Sequence, residues 1–313
     1  VTARSALKTA LAGLALLAVV LTAPGCGEVE KDDGALTIAF VGYSTTQPFW
    51  VALCGAAAEQ AKKEGVTFVD MTSATPDAMM QTNAMDNAID RKVDGIILGA
   101  VDSRAFGDSL DRAKAAGIPV VAVDTGIDHP WIGCLIQTDN LSAAGLAGDY
   151  IVKNMKPGKV LINGGTVGHQ TADARRDGVK AAVEKAGGAV IFRDCEWKGE
   201  KTHETTLNEL AANADITAIF NACDPMALAA ISAVEEQGRA GKILIVGFDG
   251  NPANLKAIEA GEQDADIKQD NVRMGRESVT NLVRIIKGAT VPKVVPIHGI
   301  LITKENVAEF LAK

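Results

Sequence analysis

Aromatic side chains are scarce. They make up 4% of the 313 residues, shared among eight phenylalanines, three tryptophans and two tyrosines, so any ring at the end of a strand is informative. Positive charge is also short: 31 Lys and Arg against 39 Asp and Glu leave a net charge of −8 and a pI near 5.1. That balance argues against a surface that gathers phosphate backbones or anionic lipid, and so against nucleic acid as a partner. Histidine is limited to His129, His169, His203 and His298, with no metal-ligand spacing, and neither a nucleophile elbow nor a serine–lysine motif is present. Gly164-Gly165-Thr166-Val167-Gly168 follows a strand pattern but lacks the full dinucleotide fingerprint and the Walker lysine. No metal and no cofactor is therefore expected, and binding is favoured over catalysis.

One apolar run stands near the start, from Ala10 to Leu21. It falls short of the roughly twenty residues that span a bilayer comfortably, so a permanent membrane helix is the weaker reading. Arg4 and Lys8 precede it, and Thr22-Ala23-Pro24-Gly25-Cys26 follows it; a charged start, a short apolar stretch and small residues at the end describe an export signal over residues 1–25. The small residues before Cys26 resemble a bacterial lipoprotein box, which implies lipidation of Cys26, a tether over 26–34 and a membrane association through that anchor alone. Removing 1–25 takes away two cations and no acids, so the mature chain is more acidic still. Four cysteines remain, Cys54, Cys134, Cys195 and Cys223. In an exported protein four cysteines permit disulfides in three full pairings. Cys195 and Cys223 each follow an expected strand, so a bridge between them is expected if those strands are neighbours.

What is plentiful is alternation. With 47% hydrophobic and 22% charged residues the chain is globular, and its length suggests about two domains. Glycine (31 residues) and abundant alanine suit close packing of helices on sheets. Short apolar runs at 36–41, 66–70, 95–98, 118–123 and 132–136 alternate with helical patterns at 49–64, 77–91 and up to 117. The pattern restarts after Asp139-Asn140, with helices at 142–155, 172–186, 202–213 and 226–237 and strands at 159–163, 189–193, 217–220 and 243–248. A strand at 264–268, a helix at 272–287 and a strand at 296–302 complete it. Apolar runs of four to eight residues between helices read as βαβ units and parallel sheets covered on both faces. The expected fold is α/β, with two doubly wound halves.

Open parallel sheets bind ligands beyond the carboxyl ends of their strands. This chain places Tyr43 to Trp50, Asp124-Thr125, Gly164 to Arg175, Cys195 to Trp197, Cys223-Asp224, Asp249-Gly250 and Gln269-Asp270 there. Carboxylates and amides can accept and donate to hydroxyl groups, and flat rings can cover C–H faces. Asp124, Asp249 and Gln269 supply the polar part; Phe49, Trp50 and Trp197 supply the rings. The pattern points to a small polyhydroxylated ligand.

Motifs in a fixed order sharpen this. They are Gln47-Pro48-Phe49-Trp50, Gly117-Ile118-Pro119 running into Val123-Asp124, Thr138-Asp139-Asn140 with Gly145 and Gly148-Asp149-Tyr150, Ala172, Arg175 and Gly178 at three-residue spacing, Asp224-Pro225-Met226-Ala227-Leu228, and Val246-Gly247-Phe248-Asp249-Gly250. From Leu36 onward the chain resembles type I periplasmic sugar-binding proteins of the ribose-binding family, the solute receptors of ABC importers. The resemblance implies two Rossmann-like lobes joined by three crossings, near Thr138-Asp139, Gln269-Asp270 and His298-Gly299. The N-terminal lobe would take 35–138 and 270–298, and the C-terminal lobe 139–269 and 299–313. It also implies ligand positions at Gln47, Phe49, Trp50, Asp124 and Thr125 in the first lobe and Asp173, Trp197, Cys223, Asp249 and Gln269 in the second, with Arg175 as a recurrent family arginine. Thr125 and Asp173 stand where the ribose binder has arginine, Cys223 where it has asparagine, and Trp50 and Trp197 where it has phenylalanine, which points away from ribose towards a larger ring or cyclic polyol. The acids leave room for an amino sugar. The implied partners are a neutral sugar or polyol and an ABC permease, engaged by an exported, periplasmic or cell-surface monomer. A receptor feeding chemotaxis or a kinase shares these features. A sugar-responsive repressor's effector domain would need a helix-turn-helix where the export segment stands.

Overall fold

The computed structural model describes residues 34–311. The expected export segment, Cys26 and nearly all of the tether lie outside the described residues. In chain order the first elements are β1 (Thr37–Val41), α1 (Pro48–Lys63), β2 (Thr67–Asp70), α2 (Ala78–Asp90), β3 (Gly95–Leu98), α3 (Gly107–Ala115), β4 (Val120–Val123) and β5 (Ile132–Thr138). There follow α4 (Asn140–Asn154), β6 (Lys159–Gly164), α5 (Gln170–Lys185), β7 (Ala189–Asp194), α6 (Gly199–Ala212), β8 (Ile216–Asn221), α7 (Asp224–Glu236), β9 (Leu244–Asp249), α8 (Pro252–Ala260) and β10 (Ala265–Lys268). The chain ends with α9 (Asn271–Ile286), β11 (Val294–Ile297), β12 (Ile300–Thr303) and α10 (Ala308–Leu311).

The strands form two sheets of six, in the orders β11-β5-β4-β3-β1-β2 and β12-β10-β9-β8-β6-β7. Every pair is parallel except β10 with β12. Their central strands are buried on both faces, as the apolar runs require. Alternation along β1 divides the core: Ile38 and Phe40 face α1 and α9, while Ala39 and Val41 face α2 and α3. In the second sheet Val160 and Ile162 meet α4 and α5, and Leu161 meets α6 and α7. Each sheet is thus a three-layer sandwich with its own core.

The chain passes from one sheet to the other at three places, after β5, after β10 and between β11 and β12. Two passages run straight into capped helices: Asp139 accepts from Ser142 N at 3.3 Å, and Asp270 accepts from Arg273 N at 3.0 Å. Residues 296–302, expected as one strand, form parts of two strands in different sheets. The break falls at Gly299, where a Cβ would meet Ala143 Cβ at 2.8 Å and Ile267 Cγ2 at 2.9 Å. The short helix α8 was not expected, although Pro252 at its first turn and Gly261 in the left-handed region after it are ordinary start and stop signals.

The expected disulfide is absent. Cys54, Cys134, Cys195 and Cys223 are all free thiols. The condition on Cys195 and Cys223 fails because β7 and β8 are not neighbours; β6 lies between them. Two strand spacings of roughly 4.8 Å exceed the usual Cα separation of a bridge. Both residues instead pack as small apolar groups with Met226.

Helices α1 and α9 approach closely at Gly275, where a Cβ would collide with the Leu53 carbonyl and reach Ala57 N at 3.0 Å. Gly275→Ala is expected to destabilise the protein by about 1–3 kcal/mol in urea unfolding, because backbone atoms cannot yield as a side chain can. An unchanged midpoint would contradict this packing.

Candidate functional site

The carboxyl ends of both sheets face a common cleft that encloses about 620 Å³ of space including its open mouth. From the first sheet come Tyr43 and the start of α1 beyond β1, and Asp124 and Thr125 beyond β4. From the second come His169, Thr171 and Arg175 on the β6–α5 segment, Trp197 after β7, Cys223 after β8, Asp249 and Asn251 at the end of β9, and Gln269 after β10. The walls also touch: the Thr171 hydroxyl donates to the Asp124 carbonyl at 3.4 Å.

Arg175 is the buried cation of this region, 3% exposed. Its Nε donates to Asn140 Oδ1 at 2.8 Å and its Nη1 to the Ala222 carbonyl at 2.7 Å, while Nη1 lies 3.5 Å from Asp249 Oδ1. The guanidinium carbon sits 3.8 Å from the centroid of Phe248, so the charge is held by a ring as well as by oxygen. Asp249 Oδ1 also accepts from Gln269 Nε2 at 2.7 Å, and Thr138 donates to Gln269 Oε1 at 2.6 Å. Thr138 beside the first crossing and Gln269 beside the second are therefore linked to one carboxylate.

The rings are seated by glycine. A Cβ at Gly99 would overlap the Trp50 indole, and one at Gly165 would overlap Trp197. Trp50 stacks on Tyr43 with centroids 5.7 Å apart and meets Phe49 edge-on; Trp197 meets His169 edge-on at 5.5 Å. Backbone strain collects here too: Asp124 (φ 67°), Trp197 (φ 61°) and Asp249 (φ 132°) are three of the five described non-glycine residues with positive φ. Such strain persists where surrounding contacts over-determine the conformation, and it concentrates at functional sites.

Burial shifts the acids upward. Asp249 is pushed up to about 7 by desolvation and by Asp266, against the pull of Arg175 and Gln269. Asp124 is raised by burial, opposed by Arg175 and by the Thr125 hydroxyl at 3.2 Å. His169 moves down to about 4 through burial and the facing Arg175, so its imidazole is neutral at pH 7, with Nδ1 buried and unpartnered. Burial carries the Tyr43 hydroxyl up to about 12 and raises the Cys223 thiol, leaving both protonated. Among the described residues no cluster of His, Cys, Asp or Glu could hold a metal ion.

All the residues expected at the site meet in the cleft except Asp173. Thr171 and Arg175 are four apart on α5 and share its inward face. Asp173, two positions from each, is turned aside: it pairs with Arg176 Nη1 at 2.7 Å and accepts from Gly168 N at 3.2 Å. Sequence reasoning missed Tyr43, His169, Thr171 and Asn251 as individual lining residues. The helical phase set by Arg175 could have placed Thr171; the other three sit in loops whose path no periodicity reveals.

Comparison with known proteins accords with this geometry. Residues 38–290 match the family model described as periplasmic binding protein domain. The ribose import binding protein of Escherichia coli is 30% identical over 92% of this chain and 96% of its own length. An ABC transporter solute-binding protein of Actinobacillus succinogenes with bound D-allose superposes with a TM-score of 0.82 at 25% identity, covering 88% of this chain and 99% of that one. One from Bacillus halodurans with bound myo-inositol gives 0.81 at 26% identity, covering 90% and 99%. A shared two-sheet architecture, an open cleft at the strand ends and a match running through nearly all of the described residues lead to one conclusion: the chain belongs to the periplasmic binding protein family.

Proposed function

We propose that this protein is an extracytoplasmic receptor that captures a neutral monosaccharide or cyclic polyol between its two lobes and delivers it to the permease of an ABC importer. The observation that carries this reading is the symmetry of the cleft, in which each wall contributes one buried carboxylate and one indole: Asp124 and Trp50 on one side, Asp249 and Trp197 on the other. Hydroxyl groups held by carboxylates are worth about 1.5–3 kcal/mol each, so a few such bonds and two stacked faces suffice for micromolar binding or better. The ligands of the two solved relatives, D-allose and myo-inositol, are of this class. Gln47, Phe49, Thr125, Arg175, Cys223 and Gln269 complete the ligand-binding set, joined by His169.

A ligand that touches both walls binds the closed arrangement better than an open one and so shifts the population towards closure, which gives the importer a shape to recognise. In this reading the chain binds rather than catalyses: its cleft thiol and phenol stay protonated. Residues 1–25 direct export, Cys26 carries the lipid that holds a monomeric receptor at the membrane surface, and the site of action is the periplasm or cell surface.

A thermal-shift panel of monosaccharides and cyclic polyols should contain at least one compound that raises the melting temperature, and Asp249→Ala or Trp197→Ala should abolish that shift. A panel without any stabilising compound, or an unchanged shift in both variants, contradicts the assignment. Anionic analogues supply a second check. With Asp124 and Asp249 facing the ligand and Arg175 already holding Asp249, Asn140 and the Ala222 carbonyl through Nη1 and Nε, a uronic acid or sugar phosphate corresponding to the stabilising compound should bind at least about 100-fold more weakly; equal affinity would mean that Arg175 outweighs the two carboxylates at the ligand.

A further inference from the structure

Below Asp249 two further carboxylates meet. Asp224, the first residue of α7, is 1% exposed, and Asp266 in β10 is fully buried. They converge over Gly247 of β9, where a Cβ would collide with Asp266 Oδ2 and reach Asp224 Oδ1 at 3.0 Å. Their outer oxygens hold the turn that follows Asp249: Asp266 Oδ1 accepts from Gly250 N at 2.9 Å, and Asp224 Oδ2 accepts from Asn251 N at 2.5 Å. Of the inner oxygens, Asp266 Oδ2 accepts from Gln263 Nε2 at 2.7 Å, while Asp224 Oδ1 is buried with no N–H or O–H reaching it from another residue type. The remaining contact is carboxyl to carboxyl. Two buried carboxyl groups can satisfy each other only when one carries a proton.

We propose that Asp224 and Asp266 are a pair of positioning residues that share one proton and clamp the Gly250–Asn251 turn, so that Asp249 keeps its positive φ and presents its carboxylate to the ligand. The groups facing the pair fit this role. Asp249 at the end of β9 adds negative charge above it, and Arg175 of α5 faces Asp249 and Cys223. Lys268, on the same face of β10, is the cation that acts on Asp266. From α8 comes the neutral amide of Asn254, from the following loop that of Gln263, and from β12 the apolar Ile302, with the neutral Cys223 thiol nearby. No ion pair to either member of the pair exists among the described residues. Burial, the charge of Asp266 and the contact with its carboxyl push Asp224 well above the ordinary carboxylate range, and burial raises Asp266 against the pull of Asp224, Gln263 and the Gly250 N–H.

The sign of the pH dependence follows. A carboxyl pair whose folded-state values are raised above the unfolded one contributes stability at acid pH that is lost as pH rises through the raised values. Loss of the shared proton leaves two like charges under the turn and frees it. The effect on sugar binding rests on the function proposed above; the effects on stability and on the proton do not.

The test uses the mature protein without ligand. Its melting temperature should fall by about 4 °C or more between about pH 5 and about pH 9, and the fall should be clearly smaller in Asp266→Asn, whose amide can donate to Asp224 in place of the proton, the remainder coming from the raised Asp249 and Asp124. The infrared band of a protonated buried carboxyl should be present at neutral pH, persist in Asp249→Asn and weaken in Asp266→Asn, where the raised Asp249 and Asp124 remain to contribute. Asp224→Asn provides the same comparison if Asp266→Asn does not fold. Parallel pH profiles in the wild type and the amide variant, or a wild type without a protonated-carboxyl band, would overturn the proposal. A clamp that behaves as expected in a protein that binds no sugar would instead count against the proposed function alone.

Discussion

The site depends on one sealed guanidinium. Burying a cation is costly unless charge and hydrogen bonds surround it, and Arg175 meets that condition through the Asn140 amide, the Ala222 carbonyl, Asp249 and the face of Phe248. These partners come from α4, the end of β8 and the end of β9, so one side chain brings three strand-end segments into a single register. Asn140 in turn donates to the Thr138 carbonyl at 3.0 Å, beside the first crossing, and Gln269 joins Asp249 to Thr138 beside the second. The charge that organises the cleft is thereby linked to the passages between lobes, where a hinge would have to bend.

Around that anchor the cleft is built from residues in costly states. Asp124, Trp197 and Asp249 sit at positive φ, and Asp124 and Asp249 hold carboxyls raised by burial. Each cost is tolerable because the sheets beneath are rigid, with β3 and β4 buried on both faces and Phe248 and Phe220 packed edge-on in the second core. A hydroxyl-bearing ligand would add hydrogen bonds to these acids beyond those from Thr125, Gln269 and Arg175, which is a physical reason for the cleft to hold one.

Fold class was legible in the sequence because fully buried parallel strands write themselves as apolar runs, such as Gly95–Leu98 and Val120–Val123, between helical stretches. Periodicity alone runs 296–302 as one strand, because Ile297 and Ile300 look alike on either side of Gly299; only the family resemblance marked the crossing near His298-Gly299, and in the structure contacts with Ala143 and Ile267 separate the two strands there. At the site, strand-end acids and indoles were legible through the rule that ligands sit beyond the carboxyl ends. Asp173 was misplaced because a spacing of two carries a side chain off the face that Arg175 occupies. His169 and Asn251 belong to loops, and the separation of Cys195 from Cys223 depends on strand order, which one sequence does not display.

The most direct measurement is a crystal structure with the sugar or polyol that raises the melting temperature most. The account predicts a ring between Trp50 and Trp197, with its hydroxyls within hydrogen-bond distance of both Asp124 and Asp249. A ligand seated elsewhere, or one contacting only one lobe, would contradict it.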